Sequence, residues 1–516
     1  MQISAGKGIA MKRLRKALCL LLAAALLCAV PAVSARAAGC SCADIPRIGI
    51  PGIGDTLLLN AGTPEQAEVG VADAEGLQAQ IAPILSDLVA AVARRSWDRA
   101  ADAFIALAWG MLGHLQVDLD GKSVQPVTAR PSDDPARRDH KAKENFNFKY
   151  DWRMDPWETA GQLNDYIKQV KKVTGHSKVA LLPHSQGGLV CMAYIARYGC
   201  GDIDTLILSM SAHNGLTMVG EMFNLNVELG CDLALEYLRS LGAAAEGGAM
   251  DLMAPAANLL QTTGLAKWLF GLLGVLLEHI QERVYREALL PLLVQWPALW
   301  GFVPHEYYES AKKALLDDPK YDALRKTADN MHYKAGAGYK ADELIMRAVK
   351  AGVRVGIIAS YGFPTQPFAP NSEVDADGLI DTARESSGAT TAGLWNTFAA
   401  DYRQKINDGH NHLSPDGKID ASTCLLPEQT WFIRGQLHFS GNTGRLREAI
   451  LSSPKRPTVH NLKDYPQFLT AVSDGVFVPN EPVPAPPRPT LAGSVWIFNE
   501  TLGKVLRESV KGAFAR

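Results

Sequence analysis

Short apolar runs alternate with amphipathic stretches from Ile45 onward, and this alternation is typical of a sheet covered by helices on both faces. The apolar runs predict strands over Arg47–Ile50, Phe146–Tyr150, Lys178–Leu182, Ile203–Met210, Val353–Ser360 and Thr430–Arg434. The amphipathic stretches predict helices over Pro156–Val173, Gly187–Tyr198, Asp342–Lys350 and Arg445–Leu451. We therefore expect an α/β fold with a mostly parallel sheet, whose last strand is Thr430–Arg434.

The strand pattern stops between Ala212 and Gly338, where apolar helical sequence takes over, including Trp268–Leu277 and Leu289–Trp300. An insertion of this length predicts a helical cap over residues 212–340. The fold core then consists of residues 44–211 and 341–475, followed over 476–516 by a proline-rich linker and a C-terminal helix. The apolar run at Trp268 is too short to span a bilayer. It is expected either to contact lipid or to be buried on all sides.

The N-terminus has the pattern of a secretory signal peptide over residues 1–37. Basic residues from Lys12 to Lys16 precede an apolar run, and Ala35-Arg36-Ala37 offers a small-residue cleavage site. We expect a secreted or extracytoplasmic protein without a transmembrane span in its mature chain. An uncleaved membrane anchor and a lipid-modified Cys40 are the alternatives.

The composition excludes some partners. The formal net charge is −2, with 47% hydrophobic and 21% charged residues, so no basic excess favours nucleic acid. The cysteines outside the predicted signal could form disulfides in an exported protein, in a connectivity that the sequence cannot determine. They are Cys40, Cys42, Cys191, Cys200, Cys231 and Cys424.

The segment Leu181–Gly188 carries the strongest indication of chemistry, because a buried strand leads directly into a turn of small residues and then a helix. This is the context of a nucleophile elbow, which presents a serine in a strained backbone conformation at the end of a strand. Ser185 is the predicted nucleophile, and its neighbour His184 is expected to be a packed side chain. Pro183 departs from the usual glycine, although an extended strand end tolerates proline.

A serine nucleophile needs a base and an orienting acid, which follow it along the chain in the order acid, histidine. The loop after Val353–Ser360 offers Asp375, Asp377 and Asp381, and we favour Asp377 because Asp-Gly-x-Ile predicts a sharp turn that exposes one carboxylate. His438 follows the last predicted strand and is the expected base. His410 and His412 precede that strand, and a surface or metal-binding role is expected for them.

The expected oxyanion hole consists of two backbone N–H groups. Gln186 N–H lies at the start of the helix after the nucleophile, and Ile53 N–H lies in Pro51-Gly52-Ile53-Gly54, where glycines allow close approach. Such chemistry needs no cofactor and no metal.

These motifs resemble the lecithin:cholesterol acyltransferase-like branch of the α/β-hydrolases. The resemblance rests on Pro46–Gly54, on Tyr150-Asp151-Trp152-Arg153 and on His184–Gly188, with a looser similarity over Trp300–Pro304. It implies an α/β-hydrolase fold, a cap over the pocket and an acyl-enzyme mechanism on lipid esters, with water or an alcohol as acceptor. Tyr150–Arg153 would be supporting structure, or a strand end whose Asp151 and Arg153 pair locally. The alternative function is a non-catalytic binding or surface protein on the same scaffold.

Overall fold

A computed structural model describes residues 45–62, 68–69, 90, 94–137, 145–226, 230–244, 251–365, 374–440, 442–454, 456–482, 490, 493–502 and 504. The predicted signal peptide, Cys40 and Cys42, and most of the proline-rich linker lie outside these residues. Residues 493–502, in the predicted C-terminal helix, are helical.

The centre of the fold is an eight-stranded sheet in the order β8-β7-β6-β5-β4-β3-β1-β2. All neighbouring strands are parallel except the antiparallel pair β7–β8. The strands are β1 (Arg47–Ile50), β2 (Asn145–Asn147), β3 (Val179–Ser185), β4 (Ile203–Ser211), β5 (Arg354–Tyr361), β6 (Thr430–Arg434), β7 (Phe468–Ser473) and β8 (Val476–Pro479).

The sheet continues beyond the strand that was expected to close it. Two further strands, β7 and β8, follow β6, so the prediction that Thr430–Arg434 ends the series is wrong. The hydrophobic pattern did not reveal these strands, because the last residues of β7 are exposed and the strand carries no continuous apolar run. The sheet also passes residue 475, where the linker was expected to begin.

Helices lie between the strands and in the long segment after β4. They are α1 (Trp97–Leu112), α2 (Pro156–Thr174), α3 (Gly187–Tyr198), α4 (Thr217–Phe223), α5 (Cys231–Ala244), α6 (Met253–Thr262), α7 (Leu265–Val284), α8 (Pro297–Gly301), α9 (His305–Leu315), α10 (Asp322–Ala335), α11 (Ala341–Lys350), α12 (Thr382–Glu385) and α13 (Gly444–Ser452). A π-helical turn, Tyr285–Val294, continues α7. The helical stretch expected over Leu289–Trp300 is therefore interrupted before Pro297, whose ring fixes the start of α8.

Helix α2 illustrates how local sequence sets an element's bounds. The Asp155 side chain accepts a hydrogen bond from Trp157 N–H, Pro156 occupies the first turn, and Gly175 ends the helix at a φ of 71°. Capping aspartate, first-turn proline and terminal glycine are the residues that these positions favour. The helix buries Leu163, Ile167 and Val170 against the main hydrophobic core.

The helices after β4 pack in several groups: α10 and α11 lie against α3, and α4 packs against α9. α5 packs against the short strand Phe363–Pro364, which follows β5, and α7 packs against α1 and α6. Helix α7 buries Leu276, Ile280 and Val284, whereas Leu265, Trp268 and Val275 remain exposed. Thus α7 presents an apolar outer surface as well as an apolar inner one.

Among the described residues, no helix is both long enough and apolar enough to cross a bilayer. Cys191, Cys200, Cys231 and Cys424 carry free thiols.

Candidate active site

The turn at Ser185 joins the carboxyl end of β3 to the start of α3. Ser185 has a φ of 53°, a conformation that is costly for a residue with a side chain. The following glycines permit the turn, because a Cβ on Gly187 would lie 2.3 Å from the Ile50 carbonyl oxygen and one on Gly188 only 1.8 Å from Ser211 Oγ. The close approach of helix and strand expected from the sequence is therefore present.

The position of this turn within the sheet follows from its topology. In the sheet, β1 lies between β2 and β3. The chain therefore continues from β1 to β2 on one side, and it forms β3 on the other side. Loops at the carboxyl ends of β1 and β3 diverge at such a switch point and leave a crevice there. Ser185 and the loop from Pro51 to Gly54 border this crevice.

His438 contacts Ser185 across this crevice, although the two residues are far apart in the sequence. His438 Nε2 lies 2.9 Å from Ser185 Oγ, within hydrogen-bonding distance. The backbone places the ring, because His438 N–H donates to the Asp377 carbonyl oxygen at 2.8 Å. Both side chains are buried, with Ser185 6% and His438 1% exposed.

The acid facing His438 is Asp377, whose Oδ2 lies 2.5 Å from His438 Nδ1. Its other oxygen, Oδ1, accepts hydrogen bonds from the N–H groups of Leu379 and Ile380 at 2.9 and 2.7 Å. The turn expected from Asp-Gly-x-Ile is present, with Gly378 at a φ of 95°. The expectation of an exposed carboxylate is wrong, since Asp377 is fully buried. Burial acts to raise its pKa, but His438, Glu385 and the Ile380 N–H outweigh this and hold the pKa below its ordinary value.

Glu385 is a buried acid at this site that the sequence did not reveal. Its Oε2 accepts a hydrogen bond from Ser360 N–H at 2.7 Å, and its side chain contacts the Asp377 carboxylate. Burial and the charge of Asp377 raise the pKa of Glu385 well above its ordinary value. The two pKa values are shifted in opposite directions, so a proton shared by this pair of carboxyls lies on Glu385 rather than on Asp377. No motif marks Glu385, because only the fold brings α12 beneath the acid turn.

The remaining sequence candidates lie elsewhere. Asp375 accepts from Gly362 N–H and pairs with Lys418, and Asp381 accepts from Thr217 N–H. His412 is buried between Gln467 and Asp408. Among the aspartates of this loop, the structure brings only Asp377 to His438.

The β1 loop lies directly against the elbow. A Cβ on Gly52 would lie 2.6 Å from Ser185 Cβ and 3.1 Å from Ser185 Oγ, so only glycine allows this approach. The N–H of Gly52 donates to Asp55 Oδ2 at 3.1 Å, which leaves the next amide along the loop, Ile53 N–H, as the candidate for an incoming oxygen. Gln186 is the first residue after the nucleophile and caps α3.

The segment from Tyr150 to Arg153 packs against this loop and donates hydrogen bonds to its backbone. Tyr150 Oη donates to the Pro51 carbonyl oxygen at 2.7 Å, and Trp152 Nε1 donates to Thr56 O at 3.1 Å. Asp151 and Arg153 pair with each other, with Arg153 fully buried and its guanidinium also donating to backbone carbonyls. Both roles considered for this segment, support and a local ion pair, are therefore present.

His184 lies closer to the site than expected. Its ring contacts that of His438, with centroids 4.9 Å apart, and its Nδ1 lies 3.7 Å from Asp55 Oδ2. The strand extends through Ser185 and carries the ring of His184 toward the β1 loop, where Gly52 leaves space for it. It is a packed side chain, but one packed on His438.

Potential metal-ligating groups occur at two places in the described residues. Ligand atoms of Asp377, Glu385 and His438 lie within 4.8 Å of one another, but the 2.5 Å contact between Asp377 and His438 is that of a hydrogen bond and leaves no room for an ion between them. The second group, His410, Glu428 and His460, is exposed.

Comparisons with known proteins add little to this geometry. No protein-family model and no curated protein matches the chain. Among solved structures, the chain is similar to one in the crystal structure of the Tle4-Tli4 complex, at 13% identity and a TM-score of 0.25, over 62% of this chain and 75% of that one. The fold assignment rests instead on the mostly parallel sheet, the elbow after β3 and the helices that cover the sheet. This is the α/β-hydrolase architecture.

Proposed function

We propose that the chain is a serine hydrolase that cleaves acyl esters, with lipid esters as its substrate class. The observation that carries the proposal is the continuous line of buried hydrogen bonds from Ser185 Oγ through His438 to Asp377, with Ser185 held at a positive φ. A serine in this arrangement has a base within reach of its proton, and that base is held in one orientation by a carboxylate.

The reaction follows from these contacts. Ser185 Oγ attacks the ester carbonyl carbon while His438 Nε2 takes its proton. Asp377 keeps His438 Nδ1–H oriented and stabilises the imidazolium that forms. The N–H groups of Gln186 and Ile53 stabilise the carbonyl oxygen as it becomes negative.

Collapse of the tetrahedral intermediate breaks the bond to the alcohol, which leaves with the proton carried by His438. The acyl group remains on Ser185 Oγ. Water, activated by His438, then attacks the acyl-enzyme and releases the carboxylic acid. An alcohol in place of water gives acyl transfer with the same residues.

Two features support a lipid substrate. The elbow, the β1 loop and Tyr150–Arg153 carry the resemblance to the acyltransferase-like branch. Independently, α7 exposes large apolar side chains, with Trp268 63% exposed and Leu265 and Val275 above 40%. Exposed apolar surface on a soluble protein marks interaction sites. We assign this surface to contact with aggregated substrate.

The protein is proposed to act outside the cytoplasm, because residues 1–37 have the pattern of a signal peptide. The N-terminus of the exported protein tests this. Sequencing of the mature chain should find it beginning just after Ala37, whereas a chain that retains Lys12–Lys16 and its apolar run would contradict cleavage.

The enzyme class is tested with a fluorophosphonate probe, which phosphonylates an activated serine and releases fluoride. The full chain should be labelled in one tryptic peptide, the one containing Ser185, and Ser185→Ala should abolish the label. A folded protein that is not labelled would support the non-catalytic alternative. If Ser185 were labelled but no ester were cleaved, the assignment of the nucleophile would stand and the assignment of ester substrates would be wrong.

The assignment of acid and base has its own test. Asp377→Asn should lower kcat by about ten thousandfold, since the amide favours the wrong histidine tautomer. His438→Ala should lose activity to a similar extent. His176→Ala serves as the matched histidine control, because the only hydrogen bond of its side chain within the described residues is to its own turn at Thr174, and it should retain activity. If His438→Ala retained activity, the assignment of His438 would be wrong.

A further inference from the structure

A cluster of two histidines and a glutamate lies near the start of β6, the strand that leads to His438. His410, Glu428 and His460 come from three segments of the chain, and their ligand atoms lie within 4.8 Å of one another. Their side chains are 47%, 40% and 39% exposed, so solvent ions reach them. The ester chemistry makes no use of this cluster.

The distances within the cluster are unlike those of a hydrogen-bonded group. The Nε2 atoms of His410 and His460 lie 3.8 and 3.9 Å from the same oxygen, Glu428 Oε1, too far for hydrogen bonds. Within the described chain, neither imidazole nor the carboxylate makes any hydrogen bond through its side chain. Ligands about 2.1 Å from a tetrahedral ion lie about 3.4 Å apart. The rings of His410 and His460 are stacked with their centroids 4.1 Å apart, and rotation of these side chains out of the stack closes the cluster around one ion.

The backbone holds these side chains together. Val459 N–H donates to the Glu428 carbonyl oxygen at 2.8 Å, which ties the segment of His460 to that of Glu428. The His410 backbone is fixed at both of its polar groups: its N–H donates to Asp408 Oδ1 at 3.0 Å, and its carbonyl accepts from Gln404 Nε2 at 2.9 Å.

The same segments are joined by a second, buried contact. His412 Nδ1 lies 2.7 Å from Gln467 Oε1, and Gln467 Nε2 donates to the Pro427 carbonyl oxygen at 2.7 Å. His412 is fully buried, so this contact is shielded from solvent. These contacts therefore hold the backbone of the exposed cluster in place without a bound ion.

We propose that His410, Glu428 and His460 bind a divalent transition-metal ion of the zinc type, with water completing the coordination. Paired imidazoles with one carboxylate suit Zn²⁺ and its neighbours in the first transition row, whereas Ca²⁺ and Mg²⁺ prefer oxygen ligands. Asp408 is not available as a ligand, because its oxygens are occupied by His410 N–H and His412 Nε2.

The ion would stabilise the fold and would take no part in ester cleavage. Glu428 lies on the turn Pro427–Gln429 directly before β6, and His438 follows β6 in the chain. An ion bound to His410, Glu428 and His460 cross-links the segments that flank this strand. Because it binds only when they are assembled, it stabilises the folded chain.

The test measures metal content and stability on the full chain. Protein stripped with a chelator is dialysed against ZnCl₂, and bound zinc is measured by elemental analysis. The wild type should hold one equivalent more than His410→Ala/His460→Ala, and zinc should raise its Tm, whereas MgCl₂ and CaCl₂ should not. Comparison with the double variant removes the contribution of any other zinc site, including one at Cys40 and Cys42.

The controls separate metal binding from folding. Glu428→Gln keeps the size of the side chain but weakens the ligand, so it should also lose the equivalent and the zinc-dependent rise in Tm. His176→Ala, a histidine outside the cluster, should keep both. Equal zinc content in the wild type and in all cluster variants would overturn the proposal. Labelling of Ser185 by fluorophosphonate is independent of this result, so the two proposals can fail separately.

Discussion

The φ of 53° at Ser185 places this residue in a region that costs an L-residue about 1–2 kcal/mol. Function and stability therefore conflict at this position. The serine hydroxyl needs the strained turn in order to face His438, but the backbone would be more relaxed with glycine. Ser185 is held there by β3 on one side and α3 on the other.

This conflict predicts a difference between two inactive variants. Ser185→Ala should lose ester cleavage with a nearly unchanged Tm, because the hydroxyl supplies chemistry rather than packing. Ser185→Gly should be equally inactive but more stable than Ser185→Ala by about 1 kcal/mol, since glycine adopts positive φ without strain. Urea denaturation of both variants measures the difference. A less stable glycine variant would show that the turn is not strained.

Glu385 provides a second residue-level prediction. Glutamine at this position keeps an acceptor for Ser360 N–H and a donor for Asp377, and it cannot ionise. Glu385→Gln should retain most activity, whereas Glu385→Ala should lose activity and stability because it leaves the buried Ser360 N–H without its acceptor and removes the contact with Asp377. Steady-state kinetics on a soluble ester separate the two. Equal loss in both variants would show that the site needs the carboxyl group itself rather than a neutral side chain with the same hydrogen bonds.

The pH dependence of stability follows from the same group. The folded-state pKa of Glu385 lies well above its ordinary value of 4.5, so its stabilising contribution is fully present below pH 4.5 and is lost as pH rises toward the folded pKa. The wild type should therefore lose stability relative to Glu385→Gln above this pH, by up to about 1.4 kcal/mol per unit. Urea denaturation across the pH range measures this. A constant difference between the two proteins would show that Glu385 is not protonated in the fold.

At the scale of elements, the β1 loop and the elbow are packed so closely that only glycine fits where they touch. A Cβ on Gly52 would lie 2.6 Å from Ser185 Cβ, so an added methyl group would force the β1 loop or the elbow to shift. The loop is fixed from the other side by Tyr150 Oη on Pro51 O. The chemistry therefore depends on the spacing of two loops rather than on a single side chain.

Gly52→Ala should accordingly lower kcat by about a hundredfold to a thousandfold, the range associated with loss of one oxyanion donor. Gly201→Ala is the matched control, because an added Cβ there meets no atom within 4 Å, and it should leave kcat unchanged. Kinetics on a short soluble ester make the comparison. Full activity in Gly52→Ala would remove the β1 loop from the oxyanion hole.

At the scale of the whole molecule, α7 forms a layer of helices with α1 and α6. The inner face of α7 is buried, whereas Leu265, Trp268 and Val275 are exposed. An interface can shift such a layer toward an open form only if it binds that form better than water does. In the proposed lipid hydrolase, the exposed apolar side chains of α7 would supply this difference in affinity.

Activity on a medium-chain ester should therefore rise when the substrate passes its solubility limit. Trp268→Ser/Phe270→Ser should reduce that rise and spare a short soluble ester. Trp395→Ser removes another half-exposed tryptophan, outside the layer, and should behave as the wild type. Smooth saturation through the solubility limit, or equal loss on both esters, would place these residues in a structural role instead.

Local sequence by itself determined the elements of the core and the site's first residue. Apolar runs and caps located β1, β6 and α3 at their observed bounds, because burial and turn chemistry act over a few residues. Ser185 could be recognised for the same reason: the strand, turn and glycines that shape its backbone are contiguous in the chain. The sequence also limited the acid to the loop after β5 and the base to the segment around β6.

Only the tertiary structure decided among the candidates within those limits. The turn pattern Asp-Gly-x-Ile favoured Asp377 over Asp375 and Asp381, but what brings Asp377 to the base is the direction of its carboxylate, set by the Leu379 and Ile380 N–H groups and by His438. Glu385, the ring of His184 and the meeting of His410 with His460 depend on contacts between distant segments. Neither local propensity nor spacing encodes such contacts, because they form only when the sheet brings its carboxyl-edge loops together.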